Sequence, residues 1–198
     1  MRKKTTVPLK ESCVDAAREV IAESGLEALS LREVARKLGV SHQAPYRHYP
    51  SRDHLLAAVM SKCFIDFRAH LEARQASDNP DQDLGELGRA YLSYARSHSL
   101  EYRLMFGTPW PAAAEHPDLV RNAVYAFDVL RGVLRRLGEH MPAAQIDQRA
   151  LFIWSCMHGL SGIRAGDVMQ HLAIDSAVAE TASEQVLALI GLALRPPE

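Results

Sequence analysis

The feature that most constrains this chain is a short segment, residues 30–39, that carries signals for both ends of one helix. Ser30 followed by Glu33 is a capping box, in which the serine hydroxyl accepts a hydrogen bond from a free amide of the first turn. Gly39 is typical of a helix end, because glycine adopts the left-handed conformation at little cost. Between these signals, apolar residues recur with the spacing of one helix face: Leu31, Val34, Ala35 and Leu38. The segment therefore predicts a two-turn amphipathic helix.

A second start signal follows at once and predicts another short helix. Ser41 can cap it, Pro50 closes it, and the predicted helix covers about residues 42–48. Two helices joined by a tight turn at Gly39 form a helix-turn-helix. The second helix is too short and too polar to be explained by burial. It carries side chains that suit contact with base edges and phosphates of a DNA duplex: His42, Gln43, Tyr46, Arg47 and His48.

The run from Leu31 to Ser41, continued by residues 46–49 and 51–55, resembles the DNA-binding domain of the TetR family of transcriptional regulators. The preceding helix, which ends at residues 22–26, fits the same pattern, so the resemblance covers about residues 8–56. It implies an all-α fold, with an N-terminal three-helix helix-turn-helix domain and a C-terminal helical domain for ligand binding and dimerisation.

The resemblance also implies which residues contact DNA. Tyr46, His48 and Arg52 would hold phosphates, and Ser41 would contact the duplex beside them. The candidates for reading bases are His42, Gln43 and Arg47.

Two residues depart from the family pattern. Ala44 stands where threonine is common, which removes a hydroxyl that could contact DNA, and Pro45 stands where an aliphatic residue is usual. Because proline has no amide hydrogen, Pro45 cannot donate to the carbonyl of Ser41. We therefore expect the recognition helix to start late or to be distorted. Tyr49 is expected to pack in the core rather than on DNA.

The rest of the chain has helical periodicity and no alternation typical of strands. A long helix is predicted from the Ser51 cap to about Gln75. We place the domains at residues 1–55, for DNA binding, and 56–198, for ligand binding and dimerisation. The first range has ten basic and seven acidic side chains, whereas the second has a net charge of −4, so the N-terminal end is the one expected to meet a polyanion.

Two C-terminal segments favour a homodimer. Residues 143–166 are apolar nearly all round, and residues 175–194 form an apolar helix, so both need a partner surface such as a symmetry mate. Trp154 and His158 share a helix face within a run that resembles the Trp-His-Gly signature of one TetR subgroup. They either line a ligand pocket or lock the helix into the dimer core.

Aromatic and methionine side chains of the second domain are candidates for a pocket that binds a small-molecule effector, because such pockets are mostly apolar. Each of them is as well explained as ordinary core. The candidates are Tyr91, Tyr94, His98, Tyr102, Met105, Phe106, Trp110, Phe127, Trp154, Met157 and His158.

Other classes of protein have little support. Residues 159–163 only partly match the GxSxG motif of hydrolases and follow no predicted strand, so we expect no enzyme. Three cysteines without a CxxC pair and scattered histidines indicate no metal site, and no cofactor is expected. No apolar run is long enough to span a membrane, so we expect a cytoplasmic protein without membrane contact.

Two hypotheses remain for the function. The first is a transcriptional regulator, a repressor, that binds palindromic double-stranded operator DNA as a homodimer and is released by a small, mostly apolar effector. The second is a helical interaction protein that has lost DNA binding through the Pro45 lesion. A gel-shift assay with DNA from upstream of its own gene separates the two.

Overall fold

The computed structural model of the chain describes residues 8–138, 140–166 and 171–195. Within these ranges the secondary structure is helical and contains no strand, so the predicted all-α class is confirmed. No helix of the described ranges has both the length and the hydropathy to cross a bilayer. In chain order the helices are α1 (Leu9–Ser24), α2 (Leu31–Leu38), α3 (Arg52–Glu72), α4 (Pro80–Ser97), α5 (Ser99–Phe106), α6 (Pro117–Leu137), α7 (Ala143–Ala165) and α8 (Ser176–Ala193).

The chain divides into two compact units. The N-terminal unit consists of the described residues of Met1–Ile65 together with Arg103–Ala123. The C-terminal unit consists of those of Asp66–Tyr102 and Val124–Glu198.

In the N-terminal unit, α2 begins and ends as its sequence predicts. The Ser30 hydroxyl accepts a hydrogen bond from the amide of Glu33 at 3.1 Å. Gly39 has a φ of 67°, which only glycine adopts without strain, and its amide closes the last turn. The apolar faces of α1 and α2 form the core of this unit, with Val20, Ile21 and Val34 almost fully buried.

Tyr49 anchors the chain between α2 and α3 to the first helix. Its hydroxyl donates a hydrogen bond to the carbonyl of Lys10 at 2.9 Å, and its ring is buried, as predicted. Burial raises the pKa of Tyr49 to about 12, and the neighbouring Cys13 and Glu11 act in the same direction. The neutral phenol is therefore the form that the folded chain stabilises.

Helix α3 also begins as predicted, after Ser51. The Ser51 hydroxyl accepts from the amide of His54 at 3.3 Å and lies 2.8 Å from Nδ1 of the same histidine. The helix ends at Glu72, three residues before the predicted end. Helices α4 and α5 are separated at His98, whose φ of −127° and ψ of 51° are not helical.

In the C-terminal unit, the carboxylate of Asp83 holds two arginines from different parts of the chain. Arg74 donates to it from Nε at 2.9 Å and from Nη2 at 3.0 Å, and Arg136 of α6 donates from Nη1 at 2.7 Å. The Asp83 side chain is 0% exposed. Arg136 also donates to the carbonyl of Ser77 at 2.6 Å, so the connection between α3 and α4 is fixed to α6.

Helices α4 and α8 of the same unit approach closely at Gly88. A Cβ atom at this position would lie 2.2 Å from Cδ2 of Leu187, so a larger residue here would require the Leu187 side chain to move.

We expect Asp83→Asn to lower the free energy of unfolding by about 3–5 kcal/mol, because it leaves two guanidinium groups without their buried counter-charge. Urea unfolding followed by circular dichroism measures the loss. Glu86→Gln in the same helix is the matched control, since Glu86 forms an exposed pair with Arg89 and should cost at most about 1 kcal/mol. Equal losses in the two variants would contradict a central role for Asp83.

The raised pKa of Tyr49 predicts that the folded chain loses stability in alkali. The unfolded phenol ionises near its ordinary pKa of 10.0, whereas the folded one keeps its proton to about 12. Between these values the unfolded chain binds fewer protons, so stability falls as pH rises from 10 to 12. Tyr49→Phe should be less stable at pH 8 by about 1 kcal/mol, since Lys10 loses a hydrogen bond. It should then lose less stability than the wild type from pH 10 to 12. Tyr125→Phe, at an exposed tyrosine, should follow the wild type at every pH.

Candidate functional site

The segment between the two capping serines, residues 41–51, does not form the predicted helix over 42–48; that prediction is wrong. The structure has a 3₁₀ turn at Pro45–Arg47 instead. The amide of Ala44 donates to the carbonyl of Ser41 at 2.9 Å, three residues back rather than four. An α-helix would need the amide of Pro45 for this carbonyl, and proline has none. The expectation of a distorted segment after Gly39 therefore has a simple physical cause.

Buried residues hold this turn in place. Pro45 and Tyr49 are both buried, and the amides of His48 and Tyr49 both donate to the Pro45 carbonyl, at 3.0 and 2.9 Å. The proline that prevents the helix thus fills the core behind the turn and orders the backbone that follows it.

The polar side chains singled out from the sequence lie on the outer side of this segment. Tyr46 is the clearest case, since a large aromatic ring remains 48% exposed while its neighbour Pro45 is buried. All six predicted contacts within residues 41–48 are exposed: Ser41, His42, Gln43, Tyr46, Arg47 and His48. The structure brings them together on one short stretch of backbone, and whether they contact DNA stays a prediction.

Arg52 is held differently from the other predicted contacts. Its Nε donates to the carbonyl of Leu29 at 3.0 Å and its Nη2 to the carbonyl of Leu26 at 2.9 Å. Nη1 lies 3.9 Å from a carboxylate oxygen of Asp53. The guanidinium group thus fastens the start of α3 to the connection that precedes α2, a role that the sequence did not indicate.

Several predicted pocket residues of the C-terminal unit form a continuous group of rings. Phe67 lies 5.4 Å from Tyr91 and 5.0 Å from Tyr94, between ring centroids. Tyr94 stacks on His98 at 4.3 Å. On the side of α7, Phe127 and Trp154 lie 5.6 Å apart, while Met157 is buried.

A chain of hydrogen bonds runs through this group of rings. The hydroxyl oxygens of Tyr91 and Tyr102 lie 2.7 Å apart, and that of Tyr102 lies 2.7 Å from Nδ1 of His158. Burial raises the pKa of both tyrosines. The Trp154 side chain acts on the pKa of Tyr91 in the opposite direction. Ser161, which the sequence marked only as part of a partial GxSxG match, is buried, and its hydroxyl donates to the carbonyl of Met157 at 2.8 Å.

The other three pocket candidates belong to the N-terminal unit. Phe106 and Trp110 both contact the ring of Phe64, at centroid distances of 5.7 and 5.5 Å. The indole of Trp110 donates to the carbonyl of Met105 at 2.9 Å, and Met105 itself is buried. Met105 thus belongs to the core of that unit, whereas Phe106 is half-buried and Trp110 is exposed.

The last two helices leave large apolar side chains exposed. Of the residues that the structure describes in α8, only Ile190 is buried. The exposed apolar residues of α7 and α8 are Leu151, Phe152, Ile163, Val178, Leu189 and Leu192. Such a surface is unusual for a helix that remains in water.

Two family models match the chain. The model described as bacterial regulatory proteins of the tetR family matches residues 14–59. The model described as the tetracyclin repressor-like C-terminal domain matches residues 84–189, more than half of the chain.

Individual proteins give the same result. The HTH-type transcriptional regulator Rv1816 of Mycobacterium tuberculosis is 27% identical over 113 residues, which cover 56% of this chain and 48% of that protein. The tetracycline repressor protein class D of Escherichia coli is 29% identical over 94 residues, 48% of this chain and 38% of that repressor. The chain thus spans about half the length, or less, of these curated relatives.

A solved structure extends the likeness to nearly the whole chain. A protein with unknown function from Rhodococcus sp. RHA1 superimposes with a TM-score of 0.74 at 25% identity, covering 95% of this chain and 98% of that one. The curated relatives and both family models are regulators, which confirms the expectation that the chain is not an enzyme. The chain belongs to the TetR family of transcriptional regulators.

Proposed function

We propose that this regulator binds double-stranded operator DNA through residues 41–48, acts as a homodimeric repressor, and is released by a small, mostly apolar effector. The observation that supports this most directly is the exposed polar face of residues 41–48. It is held from behind by the buried Pro45 and Tyr49, inside a region that the tetR family model matches. This activity would take place in the cytoplasm, where operator DNA lies.

Within the segment, we assign base reading to His42, Gln43 and Arg47, because amide, imidazole and guanidinium groups match base edges in the major groove. We assign phosphate contacts to Ser41, Tyr46 and His48. These hydroxyl and imidazole groups donate single hydrogen bonds, which position the protein without reading sequence.

Arg52 takes a positioning role in this proposal rather than a phosphate contact. Two of its three nitrogens donate to the carbonyls of Leu29 and Leu26. Loss of these bonds would loosen the start of α3 and also residues 41–51, which precede it. The domain division at residues 55 and 56 stays part of the proposal, with DNA binding before it and effector binding and dimerisation after it.

A homodimer would cover the exposed apolar residues of α7 and α8. The tetR-like C-terminal model spans both helices almost to their ends, and an isologous interface uses the same surface on each copy. Two recognition segments related by such an axis would face successive major grooves of a palindrome, about 34 Å apart.

For the effector, the proposed pocket is limited to residues of the C-terminal unit: Tyr91, Tyr94, His98, Tyr102, Phe127, Trp154, Met157 and His158. Aromatic rings dominate this set, which favours a mostly apolar ligand with few polar contacts. The run from Trp154 to Gly159 supports membership of the Trp-His-Gly subgroup. Effector binding would bias α3, and the change in spacing between the two recognition segments would lower operator affinity, a shift between two populations.

Selection of binding sites from a library of random duplexes tests the DNA-binding proposal directly. A palindromic sequence enriched over the library supports it. If no sequence is enriched, the alternative of a helical interaction protein that has lost DNA binding is favoured, since the 3₁₀ turn at Pro45–Arg47 replaces the predicted recognition helix.

With the selected operator, Tyr46→Ala should weaken binding to all sequence variants by a similar factor, about three- to tenfold, because it removes one phosphate contact. Gln43→Ala should instead change the preference at one base pair, by about 1–3 kcal/mol. Tyr125→Ala is the matched control for Tyr46, since both tyrosines have similar exposure. Binding isotherms with single-base operator variants give both effects. If the two substitutions act equally on every variant, the division of roles is wrong.

Leu189→Glu should dissociate the dimer, because Leu189 is 63% exposed in the single chain and would be buried twice in an isologous interface. We expect at least a tenfold rise in the dimer dissociation constant, roughly, from the lost burial of leucine. Sedimentation velocity over a range of concentrations measures it. Ile65→Glu, at an exposed isoleucine of α3, is the control and should leave the dimer intact. A monomeric wild type would refute the homodimer.

A further inference from the structure

One face of α7 is exposed along most of the length of the helix. It lies opposite the side that carries Ile153, Met157 and Leu160, which are buried in the C-terminal unit. Large apolar residues occur near both ends of the exposed face, and small residues occupy its middle. Its residues recur with the spacing of one helix face, and we call them the outer face of α7: Leu151, Phe152, Ser155, Gly159, Gly162 and Ile163.

The two glycines of the outer face are not required by packing within the chain. A Cβ atom at Gly159 or Gly162 would meet nothing within 4 Å apart from its chain neighbours and the backbone of its own helix. Glycine inside a helix lowers the stability of that helix relative to alanine. The residues therefore cost stability in the single chain and leave the backbone of α7 open to the approach of another helix.

The exposed apolar surface of α7 and α8 is large enough for a stable pair of chains. Six large side chains of these helices are between 44% and 63% exposed: Leu151, Phe152, Ile163, Val178, Leu189 and Leu192. They leave on the order of 500 Å² of apolar surface open on each copy, so two copies that cover each other bury about 1,000 Å². Specific interfaces between proteins begin at this size, so a second copy of the chain is a sufficient partner.

We propose that the two copies of the homodimer pack their α7 helices antiparallel, with the outer faces crossing midway between Ser155 and Gly159. This rests on the proposed function, in which α7 and α8 form the dimer interface, and it adds the direction and the register of the helices. Positions equally far from residue 157, on opposite sides of it, come to the same level in the two copies. Ser155 of one copy then meets Gly159 of the other, and these small residues let the two backbones come close.

The distribution of large and small residues on the outer face determines the direction. In an antiparallel pair, Leu151 and Phe152 of one copy meet Gly162 and Ile163 of the other at each end of the crossing. Both ends then hold the same volume of side chains, and the helices keep an even distance. A parallel pair would instead place Leu151 and Phe152 of both copies at one end. Four large side chains would separate the helices there and leave space beside the glycines at the other end.

Gly159→Ala tests the close approach of the two backbones. Alanine favours a helix more than glycine does, so the helix content measured by circular dichroism should not fall. The added methyl group would lie where the helices cross, so the dimer dissociation constant in sedimentation velocity should rise at least about tenfold. Gly132→Ala in α6 is the matched control, because a Cβ atom at Gly132 also meets nothing within 4 Å. Its dimer should be as tight as that of the wild type. Equal dissociation constants for Gly159→Ala and the wild type would overturn the proposed crossing.

Disulfide crosslinking in a mixture of two variants tests the direction and the register. One variant carries Leu151→Cys and the other Gly162→Cys, and both carry Cys156→Ala, which removes the half-buried native thiol. The antiparallel pair brings position 151 of one copy beside position 162 of the other, at a separation that a disulfide can bridge. The two copies of position 151 lie about 18 Å apart along the helices, and those of position 162 about 15 Å. Mild oxidation should therefore crosslink the mixture and neither variant alone.

Val124→Cys, at an exposed valine of α6, is the control and should not crosslink when it is mixed with Gly162→Cys. Crosslinking of Leu151→Cys alone would show a parallel pair and overturn the proposal. If the mixture does not crosslink although sedimentation velocity shows a dimer, the antiparallel crossing is refuted and the homodimer stands. A monomeric wild type refutes both.

Discussion

The buried carboxylate of Asp83 determines how the chain passes through the C-terminal unit. A charge without partners in this interior would cost several kcal/mol, so Asp83 is tolerable only when Arg74 and Arg136 are both in place. Arg74 also donates to the carbonyl of Leu71, and Arg136 to that of Ser77. These contacts therefore fix the end of α3, the start of α4 and the end of α6 relative to one another. The same three helices carry part of the aromatic group, so the backbone of that part is fixed at one end.

The N-terminal unit uses hydrogen bonds to backbone carbonyls for the same purpose. Tyr49 and Arg52 donate to the carbonyls of Lys10, Leu26 and Leu29, which lie in the first turn of α1 and in the connection before α2. Side chains that follow residues 41–48 thereby attach these residues to two distant parts of the backbone. A segment too short for an α-helix can in this way hold a defined conformation.

Much of the fold could be predicted from the sequence, because its determinants are local. The Ser30 cap, the Gly39 stop and the Ser51 cap act within one turn, and all three are found as predicted. The break between α4 and α5 at His98 could not be predicted from local signals. Neither could the ion pairs of Asp83 with Arg74 and Arg136. Asp83 looks like an ordinary acidic residue in the first turn of a helix, and only the return of α6 brings Arg136 to it.

The candidate sites show the same difference between features set by local sequence and features set by contacts between distant residues. Pro45 gave a local reason to expect distortion, since a missing amide hydrogen affects one carbonyl four residues back, but the 3₁₀ turn and its buried anchors depend on packing. The aromatic residues of α4, α5 and α7 could be named as pocket candidates from composition. Their hydrogen bonds could not, because Tyr91 and His158 are far apart in sequence and meet through Tyr102.

The two groups of polar side chains are arranged in opposite ways. Around Tyr46 the buried residues lie behind the segment and the polar groups face outwards, so several of them are open to the same partner at once. In the hydrogen bonds from Tyr91 through Tyr102 to His158 the polar groups instead satisfy one another. They do so among aromatic rings, where a polar group without a partner would cost free energy, so this second group keeps its conformation through its own hydrogen bonds.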